Sequence, residues 1–126
     1  MATLVREVLP TRGWPVPPST SVRIASAPDG DADGNVYDQA SIFIDVPMLQ
    51  AGLQGQIWLR GGARSSRQIR LFAAPSSTFT AAGIYRAIWP APLPPYFSIE
   101  IVLQNSSGSV AMAILRAVGC ARLEEV

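Results

Sequence analysis

The sequence predicts an all-β fold, a single antiparallel β-sandwich of jelly-roll type with an extended proline-rich N-terminal arm. Short segments in which polar and apolar residues alternate recur about every ten residues along the chain. Turn-forming residues separate these segments, since the chain contains 11 Pro and 10 Gly. No long segment shows the periodicity of an amphipathic helix. Together these observations are typical of a two-sheet antiparallel sandwich.

The length of 126 residues fits one domain, which we divide into an arm and a body. Residues 1–20 form the predicted arm, because four prolines surround Trp14 and disfavour helix. A short strand over residues 3–9 is compatible with this arm. Residues 21–126 form the predicted sandwich body.

Five segments of the body have the alternation of half-buried strands. Four of them are residues 22–24, 41–46, 56–60 and 68–72. In the last of these, Ile69 and Leu71 are predicted to face the core. The clearest segment is residues 97–105, in which one face carries Phe97, Ile99, Ile101 and Leu103.

Residues 109–118 follow a short turn and are predicted to form the second strand of a hairpin. The inward residues of this strand would be Val110, Met112 and Ile114. A helix is the alternative, because Ala, Met, Leu and Arg favour helix, Ser109 could cap its start and Gly119 could end it.

The composition argues against an enzyme. His is absent, every cation is Arg, and Cys120 is the single cysteine, so the side chains that most often act as bases and nucleophiles near neutral pH are missing. Asp45 and Glu100 both point outward on strands, but nothing in the sequence brings them together. We expect a binding or structural role, with Cys120 as a small buried residue.

Charge and hydropathy restrict the partners. Charged residues make up 15% of the chain and the net charge is +1, which gives no overall field toward nucleic acid or an anionic membrane. No apolar run is long enough to span a bilayer. Arg6 and Glu7 interrupt the first apolar residues, so no secretory signal is visible. We expect neither nucleic acid nor membrane as a partner.

An acidic segment resembles the first half of a calcium-binding loop, in which alternating carboxylates converge on the ion. Its candidate ligands are Asp29, Asp31, Asp33 and Asp38. The closing glutamate of an EF-hand is missing, because Ala40 stands at that position. A solvated acidic turn is the alternative, and we expect no other cofactor.

A basic segment follows further along the chain. Arg60, Arg64, Arg67 and Arg70 surround a glycine- and serine-rich hairpin tip. Such a tip can hold a phosphate, a carboxylate or a nucleic-acid backbone, although non-specific nucleic-acid binding would need a broader basic stripe. It can also meet the acidic segment of a neighbouring copy, as in a head-to-tail ring. A solvated loop is the alternative.

Aromatic residues suggest a second type of function. Sugar-binding β-sandwich modules use exposed aromatic rings as a stacking platform. The residues that could form such a platform here are Trp14, Trp58, Tyr85, Trp89, Tyr96 and Phe97. Core or interface packing is the alternative for these side chains, so a carbohydrate-binding module, alone or in a phage tail or receptor-binding protein, remains the second candidate function.

Large apolar residues also occupy outward strand positions, among them Phe43, Trp58 and Phe72. Loops or another subunit must cover them. A compact all-β body, a proline-rich arm and apolar outward faces together resemble the small β-sandwich structural proteins of tailed-phage virions, especially capsid decoration or cement proteins. The resemblance covers the organisation of the whole chain and assigns no residue a role.

The resemblance implies a virion protein that binds the outer capsid lattice, self-associates as a trimer and reinforces the shell. In this interpretation Trp14 anchors the arm on a neighbour. Trp58 and Phe72 face a partner, and the basic tip contributes to the interface.

Calcium is expected to raise the melting temperature if the acidic segment binds it, because a ligand that binds only the folded state stabilises that state by mass action. Thermal unfolding with calcium and with a chelator tests this expectation. An unchanged melting temperature at millimolar calcium would contradict the predicted calcium site.

Overall fold

The structure is a computed structural model that describes residues 2–26, 39–64, 67–89 and 93–123. The described residues contain no helix that is long and apolar enough to cross a membrane. Nine strands are described. They are β1 (Ala2–Val16), β2 (Ser21–Ser26), β3 (Gln39–Leu49), β4 (Leu53–Gly62), β5 (Ile69–Arg70), β6 (Ser77–Phe79), β7 (Gly83–Ile88), β8 (Tyr96–Asn105) and β9 (Ala111–Leu123).

The strands form two antiparallel sheets that pack face to face. Sheet 1 has the order β1-β9-β3-β7, and sheet 2 has the order β2-β8-β4-β5 with β6 also paired to β4. The chain passes from one sheet to the other between β1 and β2, β2 and β3, β3 and β4, and β6 and β7, and again on either side of β8. This arrangement is that of a jelly roll, so the predicted fold class is confirmed.

The predicted arm is a strand of the sandwich. β1 pairs with β9 from Ala2 opposite Leu123 to Val16 opposite Ala111, and its register shifts twice around Pro10. β1 lies at the edge of its sheet, where proline is tolerated because the missing N–H would face outward. The segment is therefore extended, as predicted, but it pairs within its own chain instead of reaching freely to a neighbour.

Most strand faces follow the predicted alternation. The inward residues of residues 41–46, 56–60 and 97–105 are buried, and Phe43 faces outward. Residues 68–72 differ, because β5 contains only two residues and Ile69 is exposed. A strand this short at a sheet edge does not bring Ile69 into the core.

Residues 111–118 belong to a strand, so strand is confirmed over helix, but the predicted face is wrong. Val110 is exposed, and the fully or nearly fully buried residues are Ala111, Ala113, Leu115 and Ala117. The core-facing side chains of β8 are large, with Phe97, Ile99, Ile101 and Leu103 all buried. The core positions of β9 are mostly alanine, and a close-packed core admits at each position only the volume that its neighbours leave. The prediction chose Val110, Met112 and Ile114 as the inward residues because it used hydropathy alone.

Asn105 connects the two sheets at one end of the core. Its buried side-chain amide donates to the backbone oxygen of Val16 in sheet 1 at 2.9 Å and to that of Ser109 at 2.8 Å. Its side-chain oxygen accepts from the backbone N–H of Ser107 at 2.9 Å. Because every polar atom of this side chain has a partner, its burial costs little and fixes the β8–β9 turn against β1.

Replacing Gly55 by Ala should destabilise the fold. Gly55 lies opposite Phe79 in the β4–β6 pair, and an added Cβ would overlap the buried Phe79 ring. Overpacking of this kind costs about 1–3 kcal/mol of unfolding free energy. Urea denaturation measures the loss. Gly108→Ala is the matched control, since no atom lies within 4 Å of its added Cβ, and equal losses in both variants would contradict the packing explanation.

Candidate functional site

The predicted stacking aromatics do not form one exposed platform. Trp89 and Phe97 are buried in the core, with ring centroids 5.2 Å apart. Tyr85 is half-buried and stacks on Phe79 at 4.7 Å. Trp14 is half-buried and packs against the core, with the Arg12 guanidinium 4.3 Å above its ring. These residues therefore have the packing role that was the alternative in the sequence analysis.

Trp58 lies on the outer face of sheet 2, as its position in β4 predicts, but it is buried. The Arg70 guanidinium covers its ring at 3.8 Å, and its indole N–H donates to the Gln56 side-chain oxygen at 3.2 Å. The prediction that Trp58 itself presents a ring to a partner is corrected by this cover. Arg70, not the indole, is the surface at this point of the face.

Beside Trp58, the carboxylate of Glu100 is the centre of the sheet-2 outer face. Glu100 lies directly opposite Trp58 in the β4–β8 pair, and only 2% of its side chain is exposed. Arg23 binds one carboxylate oxygen, and Arg70 binds the other, with its Nε 2.6 Å away. A buried carboxylate is stable in such a place only when it is paired and hydrogen-bonded.

The four arginines of the predicted basic tip divide into two pairs. Arg60 and Arg70 lie opposite each other at the base of the hairpin and fold onto the sheet. Arg60 Nη2 donates to the backbone oxygen of Gln68 at 2.9 Å. Arg64 and Arg67 are exposed at the tip, where the Arg67 N–H donates to the Arg64 backbone oxygen at 3.1 Å. The structure therefore brings all four to one end of sheet 2.

The outer face of sheet 1 has a different chemistry. Phe43, Ile84 and Ile88 are exposed there, and the face also contains the half-buried residues Met48, Met112, Ile114 and Val118. The Arg86 guanidinium lies 5.2 Å from the Phe43 ring centroid. We call this surface the sheet-1 outer face. Its charged residues include Glu7 and Arg116, which form an exposed ion pair at 2.9 Å.

Two predicted features lie apart from these faces. Phe72 is exposed, as predicted, in the bend that follows β5. The candidate calcium ligands Asp29, Asp31, Asp33 and Asp38 lie outside the described residues. Within residues 2–26, 39–64, 67–89 and 93–123, no three acidic or cysteine side chains come together as a possible metal site.

Sequence reasoning missed Arg23, Ile84 and Ile88. The ion pair of Arg23 depends on the pairing of β2 with β8, which no local pattern reveals. Ile84, Arg86 and Ile88 alternate with Tyr85 and Ala87, and this alternation was the available signal. This alternation does not tell which of the two faces of β7 enters the core, because neither face is purely apolar.

Comparisons with known proteins support the fold. No family model and no curated protein matches the sequence. The structure is similar to the Yersinia pseudotuberculosis-derived mitogen, at 7% identity and a TM-score of 0.54, over 96% of this chain and 90% of that chain. It is also similar to CBM29_1, a family 29 carbohydrate-binding module from Piromyces equi, at 13% identity and a TM-score of 0.50, over 93% of this chain and 91% of that chain.

A viral capsid protein is among the weaker structural neighbours. The decameric BFDV capsid protein matches at 6% identity and a TM-score of 0.40, over 96% of this chain and 99% of that chain. This match is too weak to bear on function, and the two stronger ones show the fold alone.

Replacing Arg70 by Ala should uncover Trp58 and weaken the fold. The variant loses one of two partners of Glu100 and the cation over the indole, which together contribute about 1–2 kcal/mol for a half-exposed arginine. Quenching of Trp fluorescence by acrylamide should rise, and urea denaturation should show the loss of stability. Arg64→Ala is the control, because Arg64 is exposed at the tip. A similar change in both variants would contradict the assigned role of Arg70.

Proposed function

We propose that the protein is a non-enzymatic assembly subunit that binds other protein subunits through the sheet-1 outer face. The observation that carries this proposal is the exposure of Ile84 and Ile88, of which 72% and 57% is accessible, beside the exposed ring of Phe43. The half-buried apolar residues Met112, Ile114 and Val118 of β9 lie on the same face. Several exposed apolar side chains on one face of a small domain are typical of a protein interaction site.

The position of β7 supports self-association as part of this function. β7 is an edge strand of sheet 1 in the described part of the chain. A second copy that pairs along β7 would satisfy its free backbone groups, and it would extend the apolar face through Ile84 and Ile88. We propose a closed oligomer such as a trimer, because closure buries the face of every copy.

The finer proposal is a decoration protein that binds the outer lattice of a tailed-phage capsid and is located in the virion. Its support is the organisation of the chain as one small sandwich with an apolar outer face. A non-enzymatic role is supported by the lack of His and Lys. It is also supported by the positions of Asp45 and Glu100, which lie on the outer faces of different sheets, and packed sheets are about 10 Å apart.

The alternative function, carbohydrate binding through stacked aromatic rings, has weaker support than assembly. The fold is shared with the carbohydrate-binding module described above, but the candidate rings are packed or covered. Among the described candidates only Tyr96 is exposed, at 37%. A single ring at the start of β8 is not a platform, so we propose no function based on stacking of sugars.

Ile84→Glu should weaken self-association at least tenfold, because it places a charge in the proposed interface. Size-exclusion chromatography with light scattering over a concentration series measures this change. Ile69→Glu is the matched control, because Ile69 is 71% exposed on sheet 2, and it should leave the oligomer unchanged.

The lattice partner is tested separately by sedimentation of the protein with tailed-phage capsids that lack their decoration protein. The wild type and Ile69→Glu should sediment with the capsids, and Ile84→Glu should not. A wild-type protein that is monomeric at all concentrations and does not sediment with these capsids would overturn the proposed function.

A further inference from the structure

Sheet 2 and its hairpin tip concentrate the positive charge of the molecule. The segments that form them, residues 21–26, 53–79 and 96–105, contain five of the ten arginines and one acidic residue, Glu100. The whole chain has a net charge of only +1. This sheet therefore presents a local positive surface that the overall charge conceals.

Three of these arginines are held in place by the fold. Arg23 and Arg70 bind the Glu100 carboxylate through different oxygens, Arg70 also lies over Trp58, and Arg60 donates to the backbone oxygen of Gln68. Fixed guanidinium groups lose little conformational freedom when a ligand binds. The positions of these groups are thus set before any ligand arrives.

The same guanidinium groups keep donors for a ligand. A guanidinium has several N–H donors, and the contacts described use Nε of Arg23 and Nε and Nη2 of Arg70. Their side chains are 59% and 43% exposed, which leaves space for a ligand to approach the two guanidinium groups. Since Glu100 neutralises only one of the converging cations, an external oxyanion above the carboxylate would still be attracted.

Uncharged polar groups accompany the cations on the sheet-2 outer face. Gln54 and Gln104 lie opposite each other on β4 and β8, and both are at least partly exposed. Tyr96 is an exposed ring on the same face at the start of β8. Amide side chains and one ring suit a ligand with hydroxyl groups, whereas single-stranded nucleic acid requires several exposed rings for its bases.

We infer that the sheet-2 outer face binds a carboxylated polysaccharide, with Arg23 and Arg70 contacting a carboxylate and Arg64 and Arg67 extending the contact along the polymer. This site goes beyond the proposed assembly function and lies on the opposite side of the sandwich from the sheet-1 outer face. Glu100 competes with the ligand carboxylate for the same two guanidinium groups.

Calorimetric titration of the full chain with oligogalacturonides at low salt tests the proposal, with neutral dextran oligomers as the uncharged comparison. Arg23→Gln should weaken binding about tenfold or more, as expected for the loss of a charge-assisted hydrogen bond. Arg116→Gln is the matched control on the other sheet and should bind like the wild type. Glu100→Gln should bind several-fold more tightly, because the glutamine keeps an acceptor for the two guanidinium groups but removes the negative charge that repels the ligand.

The Glu100→Gln variant distinguishes a binding role from a folding role, because a folding defect cannot increase affinity. Circular dichroism verifies that each variant is folded. The proposal is overturned if the wild type does not bind oligogalacturonides, or if Arg116→Gln weakens binding as much as Arg23→Gln. Equal affinity for a DNA duplex or for polyglutamate would also overturn it, since the face would then recognise only charge.

Discussion

The burial of β8 on both faces is the constraint on which the rest of the sandwich depends. Its inner face contributes four large side chains to the core, Phe97, Ile99, Ile101 and Leu103, and its outer face has no third layer above it in the described part of the molecule. Neighbouring strands supply the cover, with Arg23 from one side and Trp58 and Arg70 from the other. Because Glu100 lies at the centre of this cover, its ion pairs determine both the packing of the outer face and its chemistry.

The two outer faces of the sandwich consequently differ in kind. On sheet 1 the central strands β9 and β3 carry apolar and mixed residues outward, and the edge strand β7 adds two isoleucines. On sheet 2 the cover is made of arginine side chains whose guanidinium groups lie over Trp58 or bind Glu100, while part of each side chain stays exposed. One small domain can therefore contact a protein surface on one side and an anionic ligand on the other, since each contact depends on a separate sheet.

The fold could be predicted from the sequence where neighbouring residues differ strongly in polarity, as in residues 97–105. The fold could not be predicted where both faces of a strand are apolar. On β9 the contrast between Ala113 and Met112 favoured the wrong face, because the volume available at each core position is a tertiary property. The prolines around Trp14 were compatible with a free arm and with an edge strand. The cluster of Glu100 with Arg23 and Arg70 could not be predicted, because it depends on the register among the four paired strands β2, β8, β4 and β5.

The central position of β9 in sheet 1 has a consequence for folding. β1 has β9 as its only strand partner in the described sheet, and almost the whole chain separates paired residues such as Ala2 and Leu123. Such distant pairs form slowly, because a long loop must close before any contact is gained. During synthesis β1 stays unpaired, with its backbone hydrogen-bonding groups exposed, until β9 has been made. The prolines within β1 lack the backbone N–H donor, and so they limit aggregation between the unpaired β1 strands of different nascent chains.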